Sequence, residues 1–345
     1  MTTENLVRAR CLGRGKANPA GTPRATSLCA NSAAGHLPRV RTVTVLADDA
    51  TPLAVTECGP ATAALTVVFL HGHCLDQTSF RMVREGVIRR WGSSIRTVTY
   101  DHRGHGKSGV ADTTTYTLEQ LACDLAAILR AVAPVGPVLL VGHSMGGMTM
   151  LRYVREHAQV VGERLVGAAL IATAAGDLSS HGIGKALRIP ALSWFTTAAT
   201  IHPPALHRLR DALNQFLPPV LWFAGCAPVH VSPWVDDVAH ATVLNTTPFE
   251  TITGFLPALS TLDEYAALAV LGRIPVTVIC GTEDKLTPLA HSTAITAAIA
   301  TARLVTVPGA GHLVVTQAPG SVASALNALI DRITSPAGRP MLRCG

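Results

Sequence analysis

Hydrophobic and polar positions along the chain divide it into segments of two kinds. The stretch "RTVTVLADDATPLAVTEC" (41–58) alternates, breaks at Asp48–Asp49 and alternates again, which predicts a β-hairpin. "LTVVFLHG" is a continuous apolar run, the pattern of a strand covered on both faces. "SIRTVTYDHRGHG" repeats it, a strand running into a glycine-rich loop. "TLEQLACDLAAILRAV" has apolar residues at helical spacing behind Thr117, a candidate N-cap. "VLLVGHS" is a strand, "GGMTMLRYVREHA" a helix and "LVGAALIATAA" a strand. Near the end, "IPVTVICGTED" and "ARLVTVPGAGH" read as strands separated by a helix through Ala290–Ala300, and "SVASALNALIDRI" closes as a helix. Strands alternating with helices predict an α/β fold: a mostly parallel sheet with helices on both faces.

The alternation lapses between about residues 175 and 265. There "RIPALSWF", "IHPPALHRL", "FLPPVLWFAGCAP" and "VSPWVDDV" mix proline with tryptophan and phenylalanine. Prolines end helices, so several short apolar helices fit better than a sheet. Inserted between two sheet strands, such a segment reads as a helical lid over the strands' carboxyl ends, where open α/β sheets bind ligands. The expected organisation is an N-terminal extension over 1–40, core segments at 41–174 and 266–335, the lid at 175–265, and a tail at 336–345.

Composition sharpens this picture. Of 345 residues, 48% are hydrophobic and only 14% charged, enough to bury a large core. The longest apolar runs fall far short of the ~20 residues that span a bilayer, so no integral membrane segment is expected. The net charge of +6 is concentrated at one end. Residues 1–41 carry six Arg and one Lys against Glu4 alone, which leaves 21 basic and 21 acidic residues for the rest. A neutral folded part argues against a nucleic-acid surface. The basic extension has no apolar periodicity and is expected to be disordered. The eight cysteines are scattered without a C-x-x-C pair, which points to buried thiols in a reducing cytoplasm rather than disulfides or a zinc site. No metal or cofactor is called for.

The candidate chemistry begins at Gly142-His143-Ser144-Met145-Gly146, a G-x-S-x-G pattern. A strand runs into it and a helix runs out, the context in which a sharp turn lifts a serine hydroxyl clear of a sheet. A serine needs a base, and the base needs an orienting acid. Of the 14 histidines, His312 in "VPGAGHLV" follows the last strand in a glycine-rich loop and can reach Ser144 across the top of the sheet. Asp284 in "GTEDKLTP" occupies the matching loop one strand earlier, with Glu283 as rival acid and Asp263 and Asp177 as weaker ones at the lid joints. His157 is expected on an exposed helix face, and His181, His202, His207, His230 and His240 lie in the lid. A tetrahedral oxyanion would be met by the N–H of Met145 and, from the loop after "VVFLHG", that of His73.

Together "FLHGHCLD", "YDHRGHGKSG", "VGHSMGGM", "GTEDKLTP" and "GAGH" resemble the α/β-hydrolase superfamily over roughly residues 41–335. They are similar to bacterial capped serine hydrolases: esterases, lipases and cofactor-free haloperoxidase-like enzymes. The resemblance implies Ser144 as nucleophile, His312 as base, Asp284 as its partner, and His73 and Met145 as oxyanion donors. It gives Asp101, Arg103 and His105 a structural role beside the site. Epoxide hydrolases and haloalkane dehalogenases of this fold carry Asp where this chain has Ser144. Carbon–carbon bond hydrolases often carry Asn where it has His143.

Two functional classes follow. One is a serine hydrolase acting on a small-molecule carboxylic ester, uncharged and moderately lipophilic, with lactones, thioesters and carbon–carbon bonds as alternatives. The other is a non-catalytic ligand-binding protein on the same fold, whose usual mark is a broken triad.

Overall fold

A computed structural model describes residues 6–8, 40–178 and 247–335. The strands are β1 (Leu6–Arg8), β2 (Val40–Leu46), β3 (Pro52–Cys58), β4 (Leu65–Leu70), β5 (Ile95–Tyr100), β6 (Val138–His143), β7 (Leu165–Ile171), β8 (Val276–Gly281) and β9 (Ala302–Val307). They form one sheet in the order β1-β2-β3-β5-β4-β6-β7-β8-β9. The hairpin β2–β3 is antiparallel, with Val45 opposite Leu53, and β3 runs antiparallel to β5. From β5 to β9 every neighbouring pair is parallel. The continuous apolar runs are the central strands: every residue of β4, β5, β6 and β8 is buried.

Side chains that alternate along a strand feed opposite faces. One layer combines Val68, Leu140, Leu170 and Val278 with the helices α2 (Leu118–Val132), α3 (Met145–Glu156), α6 (Tyr265–Leu271) and α7 (Leu289–Ala298). The other combines Val67, Leu139, Ala169 and Ile279 with α1 (Arg81–Trp91), α8 (Val314–Gln317) and α9 (Pro319–Thr334). A smaller third cluster joins Leu121, Met145 and Met148 to Phe255 and Leu259, the last from the short helix α5 (Leu256–Ser260), which follows α4 (Phe249–Gly254). Thr117 caps α2 as expected, its hydroxyl accepting the Gln120 N–H at 3.1 Å.

The connections fix where a ligand can sit. The chain leaving β4 leads to α1 on one face, and the chain leaving β6, its neighbour in the sheet, leads to α3 on the other. The two loops therefore diverge at their carboxyl ends and open a crevice, the place where open α/β sheets bind ligands.

Several details differ from the expectation. Leu6–Arg8, inside the extension expected to be disordered, pair in parallel with Thr44–Leu46 as a three-residue edge strand. The outer edge of β2 offers unpaired backbone groups that any nearby extended chain can satisfy, whatever its charge. The boundary expected at 265/266 falls inside α6, so the second core segment starts with a whole helix. α9 begins at Pro319, at a position where proline's missing N–H costs nothing. His157 ends α3 rather than standing free on it, its ring stacked on Tyr153 at 4.5 Å. Gly176 bridges Asp263, and the Glu264 N–H donates to the Ala175 carbonyl at 2.6 Å, so the ends of the intervening segment lie side by side. Most of that segment, including Trp194, Phe195, Phe216, Leu217, Leu221, Trp222, Phe223 and Trp234, lies outside the described residues. Among the described residues no helix is long and apolar enough to cross a membrane. Cys58, Cys74, Cys123 and Cys280 are in the thiol form.

Candidate active site

Ser144 sits between β6 and α3 with φ 51° and ψ −120°, a backbone conformation that a residue with a Cβ rarely adopts. Its neighbours hold it there. Its N–H donates to the Ile171 carbonyl at 2.9 Å, and its own carbonyl accepts from Gly147 N–H at 2.8 Å and from the Thr173 hydroxyl at 2.8 Å. The turn is tight enough that a Cβ on Gly146 would collide with the Leu70 carbonyl. This is the physical content of the small residues around the serine.

The Ser144 hydroxyl lies 3.0 Å from His312 Nε2, and His312 Nδ1 lies 3.0 Å from Asp284 Oδ2. With Nδ1–H donating to the carboxylate, Nε2 is left to accept the serine proton. All three side chains are buried. Burial alone would raise the Asp284 carboxyl. The His312 ring and the hydrogen bonds from Thr287 outweigh burial and hold it below the ordinary carboxylate value. Those bonds are the Thr287 N–H to Oδ1 at 2.8 Å and the Thr287 hydroxyl to Oδ2 at 2.7 Å, with the Leu286 N–H also on Oδ1 at 2.9 Å. Glu283, the rival acid, is exposed, and Asp177 accepts from the Tyr265 hydroxyl at 3.1 Å.

His143 supports the base loop from beneath. Its Nε2 donates to the His312 carbonyl at 2.9 Å, and burial, then the neighbouring His312 ring, push its pKa down to about 3. The loop after β4 runs against the serine: a Cβ on Gly72 would lie 3.2 Å from the Ser144 Cβ. Next comes His73, whose Nε2 donates to the Ile252 carbonyl of α4 at 3.1 Å and whose pKa burial lowers to about 4. The backbone N–H groups of His73 and Met145 donate to no protein acceptor among the described residues.

Asp101, Arg103 and His105 flank this loop. Asp101 accepts from Gln77 N–H at 2.8 Å and Lys107 N–H at 2.9 Å. Arg103, wholly buried, grips Asp124 of α2 with two nitrogens at 2.6 and 2.7 Å and reaches Asp49 of the hairpin turn at 2.7 Å. It thereby fastens the hairpin and α2 to the loop. His71 accepts the His102 N–H at 2.9 Å, while His102 Nε2 donates back to the His71 carbonyl at 3.1 Å.

Sequence reasoning missed Thr287, His143 as a brace, and Thr251, Ile252 and Phe255 of the described part of the inserted segment. Thr287 had only an indirect signal: an Asp side chain readily closes a turn onto backbone N–H groups just downstream, as Asp284 does with Leu286, and Thr287 is the next residue. His143 had none, because its role depends on a carbonyl 169 residues away. Phe255, Ile252 and Thr251 had none either. The Phe255 ring packs tilted against Tyr116 at 4.7 Å and edge-on against His73 at 5.7 Å, and Thr251 meets the Tyr116 hydroxyl at 3.1 Å. The histidines of the central insert lie outside the described residues.

A model of the alpha/beta hydrolase family matches residues 67–325. The chain belongs to that family. As an alpha/beta hydrolase it is similar to the mouse sn-1-specific diacylglycerol lipase ABHD11, 38% identical over 100 residues, which are 29% of this chain and 31% of that protein. It is also similar to a putative carbamate hydrolase, RutD, of Yersinia enterocolitica, 29% identical over 59% of this chain and 66% of that one. The chain matches under a third of the lipase's length. Among solved structures, an esterase from Thermogutta terrifontis covers 85% of this chain and 99% of its own at 21% identity and TM-score 0.63. The enol-lactonase of Burkholderia xenovorans covers 83% of this chain and 99% of its own at 22% identity and TM-score 0.59. Those structures share the fold.

Proposed function

We propose that this alpha/beta hydrolase is a serine hydrolase that cleaves carboxylic esters of uncharged, moderately lipophilic substrates through an acyl-enzyme on Ser144. The observation that carries the reading is the buried line Asp284–His312–Ser144, two contacts of 3.0 Å ending on a serine held in a strained turn. In this reading Ser144 Oγ attacks the ester carbonyl while His312 Nε2 takes its proton. The new C–O bond pushes the carbonyl electrons onto oxygen, where the Met145 and His73 N–H groups receive the charge. Collapse expels the alkoxide, which takes the proton back from His312. Water then repeats the sequence on the acyl-enzyme and frees Ser144. Asp284, kept ionised by its surroundings, holds the ring in the needed tautomer and steadies the imidazolium.

The substrate class rests on the apolar surroundings. Leu118, Leu121, Met148 and Phe255 form one apolar cluster with Met145, the residue after Ser144, which favours an apolar substrate over a charged acid or a phosphate. The segment between Gly176 and Asp263 is proposed as the lid that completes the pocket. A lactone is a cyclic ester and would follow the same steps. The lipase, esterase and lactonase named above fit such a class.

The test is labelling by a fluorophosphonate probe. The folded chain is expected to label at one site, and Ser144→Ala to lose the label while keeping its circular dichroism. A folded wild-type chain that stays unlabelled would favour the ligand-binding alternative.

A further inference from the structure

The turn between Gly72 and Leu75, which carries the His73 N–H, runs against Ser144 at Gly72, yet little backbone hydrogen bonding within the turn holds it. One backbone bond closes it, Leu75 N–H to the Gly72 carbonyl at 3.2 Å. Inside it Cys74 takes a φ of 57°, a left-handed conformation that a residue with a side chain adopts only when its surroundings impose it. Three histidine rings restrain it further: His71 Nδ1 donates to the Gly72 carbonyl at 2.7 Å, His73 Nε2 donates to the Ile252 carbonyl at 3.1 Å, and a histidine from another loop holds the Cys74 N–H itself. His105 Nε2 accepts the Cys74 N–H at 3.2 Å. Nothing in the reaction as described uses this ring.

The site around His105 is built to keep that acceptor available. Its Nδ1 donates to the Arg103 carbonyl at 3.0 Å, which fixes the tautomer and leaves the lone pair on Nε2. Its backbone is clamped on both sides: its N–H donates to the His102 carbonyl at 2.9 Å, and its carbonyl accepts the Ser108 N–H at 3.0 Å. The rings of His71 at 5.3 Å, His73 at 5.5 Å and Phe255 at 5.8 Å wall it in. Arg103, which carries the carbonyl that orients the ring, is itself anchored on Asp124 and Asp49. Burial, then repulsion from the neighbouring His71 and His73 rings, keeps the His105 ring neutral.

We propose that His105 is a positioning residue for oxyanion stabilisation: by accepting the Cys74 N–H it locks the 72–75 turn so that the His73 N–H stays aimed at the reacting oxygen. This rests on the reading of His73 as an oxyanion donor. A donor contributes only where it meets the oxygen that forms in the transition state, and a displacement of about 1 Å is enough to lose on the order of a hundredfold. Removing the acceptor therefore lowers kcat and leaves ground-state binding nearly alone.

Two substitutions separate the acceptor from the packing. His105→Phe keeps a ring of similar shape and removes the acceptor. His105→Gln loses the ring and restores an acceptor near the Nε2 position. With p-nitrophenyl butyrate as substrate, His105→Phe is expected to lower kcat about 10- to 100-fold with KM within about threefold, and His105→Gln to stay within about fivefold of wild type. The reverse order, with Phe active and Gln impaired, would make the ring a packing element and overturn the proposal. A nitrogen-15 NMR spectrum of the wild-type histidine rings needs no variant to fold. His105 is expected as the Nδ1–H tautomer, and an Nε2–H tautomer, which cannot accept from Cys74, would overturn the proposal equally. Ser144→Ala is run alongside: activity retained there would sink the serine reading itself, whatever His105 does.

Discussion

His312 Nε2 and Ser144 Oγ lie 3.0 Å apart across 168 residues of chain. The contact joins the two core segments on either side of the insert, and it forms only if β6 and β9 hold their places in the same sheet. If the pair acts as one unit, its deletions are not additive. Ser144→Ala and His312→Ala are each expected to lower kcat by about 10³-fold or more, and the double substitution by about the same factor. Steady-state kinetics on the three variants checks this. Effects that multiply would show that the two residues act independently.

The acid is tested by the ranking of three neighbours. Asp284→Asn keeps the shape but lets the amide steer His312 into the wrong tautomer, and it is expected to cost about 10³-fold or more in kcat. Thr287→Val removes one hydrogen bond to the carboxylate and is expected to cost a more modest factor, roughly tenfold, as a charge-assisted bond of about 1.5 kcal/mol suggests. Glu283→Gln, at the surface, is expected to be near normal. An impaired Glu283→Gln beside an active Asp284→Asn would move the role to Glu283.

Much of this arrangement was legible in the chain, for reasons that differ from residue to residue. Ser144 announced itself because a strained turn can be built only with Gly142 and Gly146 around it, and both are visible in one short word. His312 and Asp284 could be located because each sits in the loop that ends a strand, and the apolar runs "VTVIC" and "ARLVTV" mark those strands. The parallel sheet followed from strands buried on both faces. What stayed hidden depends on contacts between distant segments. His143 bracing His312, His105 holding Cys74 and Phe255 beside His73 leave no local pattern. The edge strand Leu6–Arg8 was hidden for another reason: three residues carry no periodicity, and its partner is an open edge rather than a core face.

Acid should destabilise the fold through its buried histidines. Burial lowers the pKa of His143 to about 3 and of His73 to about 4, and moves His71, His102 and His105 the same way, from an ordinary 6.5. Below that ordinary value the unfolded chain takes up protons that the folded rings refuse. The neutral rings thus contribute fully above about pH 6.5, and their contribution is lost as pH falls through the folded values. Each ring costs up to about 1.4 kcal/mol per pH unit in that window. Asp284, shifted below its own ordinary value of 3.8, loses its contribution only at still lower pH. The melting temperature is expected to fall by several degrees or more from about pH 7 to about pH 5. A flat profile over that range would contradict the buried, neutral assignment.

Chain length of the ester reports on the pocket. Each methylene buried adds up to about 0.8 kcal/mol, so four more could raise kcat/KM on the order of a hundredfold where room exists. The account expects kcat/KM over p-nitrophenyl esters from acetate to laurate to peak at an intermediate length. A steady decline from acetate onward would mean a small closed pocket and would remove the lipophilic-ester reading.

The central claim is a covalent acyl group on Ser144. The most direct measurement is rapid acid quenching of the enzyme during turnover of p-nitrophenyl butyrate, followed by intact-mass and peptide mass spectrometry. The account predicts a butyryl adduct on the peptide carrying Ser144 in the wild-type chain and no adduct in Ser144→Ala. Turnover by Ser144→Ala at more than about a tenth of the wild-type rate, or an adduct on another residue, would contradict it.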